Sequence, residues 1–288
     1  MVGSMTRRAG LIALAGSMAS ACSPLSLFAT FVPKDAALSP QHGVAYGRLK
    51  RQALDVYAPQ REVAPAPVAV FFYGGSWDSG RRQDYGWVGR ALAAQGFLVI
   101  VPDYRLYPAV RYPAFIEDGA LAMRWAVDHA RALGGDPTRI VLIGHSAGAY
   151  IAAMLALDDR YLKAAGVDPK AVRALAGLSG PYDFLPLDGP VTQRTFGEFP
   201  DLPATQPTTH VRADSPPAFL ATGEADTTVR PRNTKALAAA LRAKGVAVEE
   251  RHYPGLKHAD TVLALSRPFR GKAPVLAEMT AFLKGRVS

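Results

Sequence analysis

A pentapeptide, Gly144-His145-Ser146-Ala147-Gly148, limits the architectures open to this chain more than any other segment. It follows the apolar run Ile140-Val141-Leu142-Ile143 and precedes Ala149-Tyr150-Ile151-Ala152-Ala153-Met154-Leu155, a run compatible with a helix. Strand, sharp turn and helix in immediate succession place a serine hydroxyl at the strained tip of the turn. The flanking glycines leave room where backbone crowds backbone. The helix N-terminus behind the serine favours negative charge developing beside it.

The rest of the chain repeats the alternation that such a turn needs. Strands are predicted over 54–57, 68–73, 97–101, 140–143, 174–178, 218–222 and 246–253, most of them continuous apolar runs as buried parallel strands require. Helical patterns fill the gaps at 87–95, from Pro113 to Gly134-Gly135, after Ser146, at 233–244 and at 272–283. The expected fold class is α/β, a mostly parallel central sheet with helices on both faces. Residues 183–214 break the rhythm with Pro, Thr and isolated aromatics (Phe184, Phe196, Phe199). A stretch this long inside a domain is expected to serve as a lid or pocket wall, against the plainer reading of a surface excursion.

The first residues differ in kind. Thr6-Arg7-Arg8 followed by the uncharged run 9–21 predicts a secretory signal over 1–21, with twin-arginine character. The run ends at Ala19-Ser20-Ala21-Cys22, where either ordinary signal cleavage or lipid attachment at Cys22 fits. Residues 22–44 then form a linker or anchor segment ahead of a domain over 45–288. Export to a bacterial cell envelope, lipid-anchored, or to the periplasm or medium is the expected localisation. Cys22 is the only cysteine, so no intrachain disulfide exists. The net charge of +9 is spread without a basic block or stripe, which argues against a nucleic-acid partner.

A serine nucleophile needs a base to take its proton and an acid to orient that base. His258 lies in a loop after the last predicted strand and Asp226 directly after the strand ending at Thr222, so both stand past carboxyl ends of strands. His252 is the main rival base; Glu224 and Asp260 are the rival acids. Backbone N–H donors for an oxyanion should come from Ala147 and from the loop Tyr73-Gly74-Gly75-Ser76-Trp77. No metal-ligand cluster or phosphate-cradling loop is present, so no metal or cofactor is expected.

With these residues in place the chain resembles the α/β-hydrolase superfamily. It is similar to carboxylesterases of the hormone-sensitive-lipase-like, feruloyl-esterase-like and isoprenylcysteine-methylesterase-like groups, and to arylformamidases. The resemblance is carried by the pentapeptide, Leu54-Asp55-Val56-Tyr57, the Tyr73–Trp77 loop, Pro102-Asp103-Tyr104-Arg105-Leu106, Gly135-Asp136-Pro137 and Pro216-Pro217-Ala218-Phe219-Leu220. It implies the α/β-hydrolase fold, a catalytic set Ser146, Asp226 and His258, and oxyanion donors at Gly75, Ser76 and Ala147. It also implies that Asp103 and Arg105 hold local loop structure. Tyr73 departs from the His-Gly-Gly pattern of many relatives. The implied activity is cleavage of small carboxylic esters, short-chain or aryl, through an acyl-enzyme. An arylformamidase or small amidase is the alternative on the same triad, and a non-catalytic envelope-binding module the alternative of another class.

Overall fold

The computed structural model describes residues 24–61 and 65–288; the leader expected over 1–21 and the candidate lipidation site Cys22 lie outside the described residues. A short helix α1 (Pro24–Phe31) leads into three strands, β1 (Leu38–Ala45), β2 (Ala53–Ala58) and β3 (Ala66–Phe72). Alternation follows through α2 (Gly86–Ala93), β4 (Leu98–Pro102), α3 (Ala114–His129), β5 (Gly135–His145) and α4 (Ala147–Leu157). Next come α5 (Asp159–Ala164), β6 (Val172–Leu178) and α6 (Pro190–Phe196). The chain closes with β7 (Ala218–Gly223), α7 (Arg232–Ala243), β8 (Val248–Tyr253), α8 (Asp260–Leu263) and α9 (Val275–Val287).

The strands form one sheet in the order β1-β2-β4-β3-β5-β6-β7-β8. β2 runs antiparallel to both β1 and β4, and every other neighbouring pair is parallel. All five residues of β4 are buried, as are the last six of β5. Consecutive buried residues on a strand need cover on both faces, which is why these segments read as unbroken apolar runs. α3 and α4 pack on each other and α4 lies along β3, β5 and β6, while α9 packs on β5, β6 and β7 and α2 on β2 and β4.

Because β3, β5, β7 and β8 are parallel, they end on one edge of the sheet. The loops that leave Phe72, His145, Gly223 and Tyr253 therefore converge there, the usual place for a ligand in an open α/β sheet. The site follows from topology before any side chain is considered.

The sheet starts earlier than the alternation does. β1 lies almost wholly ahead of residue 45, in what reads as linker, because its sequence mixes polar, Pro and Gly residues with no apolar run and is mostly exposed. It is an edge strand with two register shifts and a proline, tolerated where one side of the ladder faces solvent. The Asp55 Oδ1 accepts from the Gly43 N–H at 2.8 Å and ties the strand to the sheet. α5 and α6, of six and seven residues, are too short to show a helical period in sequence.

Candidate active site

The turn at Ser146 is shaped by what cannot fit beside it. A Cβ on Gly148 would lie 2.1 Å from the Phe72 carbonyl oxygen, and one on Gly144 would lie 2.3 Å from the Gly148 carbonyl oxygen. Both obstacles are backbone, so neither can swing aside. Ser146 itself is held at φ 53°, ψ −125°, a region that L residues occupy only under constraint. Its N–H donates to Leu178 O at 2.9 Å and its carbonyl accepts from Tyr150 N at 3.1 Å, so strand β6 and helix α4 clamp the turn from both sides.

Replacing Gly148 with alanine is therefore expected to destabilise the fold by about 3 kcal/mol or more, since overpacking against backbone finds no low-energy escape. Urea unfolding measures it. Gly285→Ala is the control, because nothing lies within 4 Å of that Cβ position and alanine suits the exposed helix. Equal stability of the two variants would contradict this view of the turn.

The structure brings Ser146, His258 and Asp226 into one hydrogen-bonded chain. His258, in the loop between β8 and α8, has Nε2 2.8 Å from Ser146 Oγ and Nδ1 2.8 Å from Asp226 Oδ2. The other carboxylate oxygen of Asp226 accepts the N–H groups of Thr228 and Val229 at 3.0 and 2.9 Å. Burial works to raise the pKa of this carboxyl. The hydrogen bond and charge of His258, with the two backbone donors, outweigh it and hold the group below the usual carboxylate range. An ionised Oδ2 accepts only, so the proton of neutral His258 sits on Nδ1 and Nε2 is left to face the serine hydroxyl.

The rivals are accounted for elsewhere. His252 pairs with Glu250 at 2.7 Å. Asp260 accepts from the Lys257 N–H and from Lys272 Nζ, a loop-holding role. Glu224 is exposed, and its backbone only continues the pairing to Tyr253.

The loop after β3 comes back over the serine. Gly75 has φ 132°, and a Cβ there would strike the Ser79 carbonyl oxygen at 2.3 Å; its own carbonyl accepts from Asp78 N and Ser79 N at 3.0 Å. Ser76 and Trp77 follow at φ 52° and 58°. Neither the Gly75 nor the Ser76 N–H has a backbone acceptor among the described residues. Ala147 opens α4, where an N–H has no acceptor within the helix. Ser76 and Ala147 line the same cavity as Ser146, whereas Gly75 sits one residue behind its wall.

Tyr73 holds this loop, a role that its sequence position did not reveal. Its ring is buried between Tyr85 and Tyr104, stacked at 5.2 and 4.8 Å. Its hydroxyl donates to Asp103 Oδ1 at 2.7 Å and accepts from Arg51 Nη2, which also reaches Gly80 O. Arg82 joins Asp103 to Asp55 with contacts of 2.5 and 2.9 Å. Arg105 is bound to the fully buried Asp118 at 2.8 Å. Asp103 and Arg105 thus anchor loops, as the resemblance implied.

The cavity over Ser146 has a volume of about 330 Å3. Its apolar walls are Trp77, Pro181, Phe184 and Val191. Residues 188–192, from the irregular stretch and the start of α6, form one side, and behind them Phe196, at the end of α6, packs on Trp77 and Tyr150 at 4.9 and 5.4 Å. Tyr150 Oη donates to Thr205 O at 2.7 Å, and Gln206 Oε1 accepts from Phe184 N at 2.8 Å. The segment is pinned to the body at several points along its length.

His145, inside the turn, points to the far side of His258 and not to the serine. Its Nε2 lies 3.1 Å from the His258 carbonyl oxygen, and burial, helped by the neighbouring His258, pushes its pKa down to about 3. The unfolded chain then binds a proton between pH 6.5 and 3 that the native state refuses. Native stability must fall as pH drops through that window, by up to about 1.4 kcal/mol per pH unit. His145→Gln should flatten the difference between stabilities at pH 6 and pH 4, read by urea unfolding. An unchanged acid slope would place the titration elsewhere.

This sheet order, with a serine on a strained strand-to-helix turn and a histidine and an acid on later loops, defines an α/β-hydrolase. The BD-FAE family model matches residues 54–241, and the chain belongs to that family. It is 34% identical over 254 residues to carboxylesterase NlhH of Mycobacterium tuberculosis, covering 80% of this chain and 77% of that protein. It is 30% identical over 252 residues to isoprenylcysteine alpha-carbonyl methylesterase ICME of Arabidopsis thaliana, covering 80% of this chain but spanning only 58% of that protein. Among solved structures, esterase B from Lactobacillus rhamnosis superposes with a TM-score of 0.77 over 89% of this chain and 87% of that one, at 23% identity. That likeness is one of fold.

Proposed function

We propose that the protein is a serine esterase that cleaves small carboxylic esters through an acyl-enzyme. The observation that carries this reading is the unbroken hydrogen-bonded chain from Ser146 through His258 to Asp226, opening into a cavity near the small end of the range for ligand sites. Ser146 Oγ attacks the ester carbonyl while His258 Nε2 takes its proton. The oxyanion formed is held by the N–H groups of Ala147, Ser76 and Gly75. As the tetrahedral intermediate collapses, the C–O bond to the alcohol breaks and His258 returns the proton to the departing oxygen. Water, deprotonated by the same imidazole, then releases the acid and restores the serine. The volume and the aromatic walls favour a short or aryl acyl group. The arginine-bearing leader and Cys22 support export to the cell envelope.

The test is covalent. A fluorophosphonate probe should add one adduct to the intact protein, located on the peptide carrying Ser146, and a chain-length series of nitrophenyl esters should favour short acyl groups. Adduct formation elsewhere with full ester turnover would sink the nucleophile assignment. Faster turnover of N-formyl aryl amides than of the matching esters would move the substrate class to amides.

A further inference from the structure

The cavity above Ser146 carries two arginines that nothing in the fold explains. Arg230 and Arg232 line it from the loop that follows Asp226 and from the first residue of α7. Neither side chain has a hydrogen-bond, ion-pair or ring partner among the described residues. The other arginines around the site are engaged: Arg51 and Arg82 with Asp103, Arg105 with Asp118, and Arg194 with Asp78. The helix dipole works against a cation on Arg232, and no acidic residue stands in the first turn of α7 to offset it.

The backbone beneath these side chains is fixed. Asp226 Oδ1 takes the N–H groups of Thr228 and Val229, and buried Asn233 donates to the Arg230 carbonyl at 3.3 Å. The same Asn233 accepts from the N–H groups of Tyr182 and Asp183 at 2.9 Å. The loop that orients the imidazole is thus also the loop that presents Arg230, at a set position relative to the serine. On the cavity wall the single acid is Asp188, exposed and without a pairing partner among the described residues, so the wall keeps a positive excess. Unpaired guanidinium groups at the mouth of a partly apolar cavity attract anions and can bind a carboxylate in a bidentate manner.

We propose that the preferred substrates are anionic esters, carrying a carboxylate on either the acyl or the alcohol part, and that Arg230 and Arg232 bind that carboxylate. The proposal rests on the esterase reading and narrows its substrate class. In it both arginines act on binding, so their effect falls on KM more than on kcat.

Two matched substrate pairs test it: 4-nitrophenyl hemisuccinate against 4-nitrophenyl butyrate, and 4-acetoxybenzoate against 4-acetoxybenzamide. The first pair places the charge on the acyl side and the second on the alcohol side. The expected result is a higher kcat/KM for the anionic member of at least one pair. The ratio should fall at least tenfold in the Arg230→Gln/Arg232→Gln double variant, through KM, and added salt should lower it in the wild type only. A binding arm uses the Ser146→Ala protein and calorimetry with the same compounds, the anionic member losing affinity at least tenfold when both arginines are replaced. Equal handling of anionic and neutral members in both pairs overturns the proposal, as does a ratio that the double variant leaves intact. If none of the esters is cleaved, the esterase reading fails and the binding arm still decides the arginine assignment.

Discussion

Ser146→Ala is expected to lower kcat/KM on a nitrophenyl ester by about 10^5 or more, a loss of ~7 kcal/mol of transition-state stabilisation. The size follows from the loss of the covalent route: without Oγ, His258 has no nucleophile in reach and only the oxyanion donors and binding contacts remain. The fold should survive. Among the described residues the serine side chain makes no hydrogen bond other than that to His258, and alanine keeps the N–H to Leu178 O and the C=O to Tyr150 N. Equal unfolding midpoints for the two proteins, with turnover at the background rate and no fluorophosphonate adduct, is the full expected result. Residual turnover above one-hundredth of wild type would mean that another group attacks the ester.

Asp226→Asn should cost about 10^4 in turnover while the geometry stays in place. The reason lies in the two backbone donors. Thr228 N and Val229 N require an acceptor at the Oδ1 position, so the asparagine carbonyl turns toward them and its NH2 toward His258 Nδ1. The imidazole must then accept at Nδ1 and carry its proton on Nε2, facing Ser146, where it cannot serve as a base. Steady-state kinetics beside a circular-dichroism spectrum measures this. Activity within tenfold of the wild type would show that Asp226 does not set the tautomer.

The parts of this site that sequence disclosed are those dictated by backbone. The pentapeptide is legible because Gly144 and Gly148 answer to carbonyl oxygens within 2.3 Å of where a side chain would start, a demand only glycine meets. His258 and Asp226 were legible from strand order, since parallel strands send their following loops to one edge. The edge strand β1 was hidden by its mixed, mostly exposed sequence, which matches a linker as well as a strand. Tyr73 looked like a deviation from a histidine pattern; its function depends on Asp103, Arg51 and two stacked tyrosines distant in sequence. In sequence Arg230 and Arg232 merge into the spread positive charge, because a lone positive side chain and a paired one look alike until the neighbours are known.

The contact between Gly148 and the Phe72 carbonyl has a consequence for how this protein can change. It locks the nucleophile turn to the end of β3, and thereby to the loop that supplies Ser76, with no side chain between them to adjust. Alterations there break the scaffold before they alter preference. The wall formed by 188–192 and the 227–232 loop presents exposed or half-buried side chains over well-tied backbone, so residues can be exchanged there at little risk to folding. A library confined to those two stretches should yield new substrate ranges with most members still folded, whereas one centred on 144–148 should yield mostly insoluble protein.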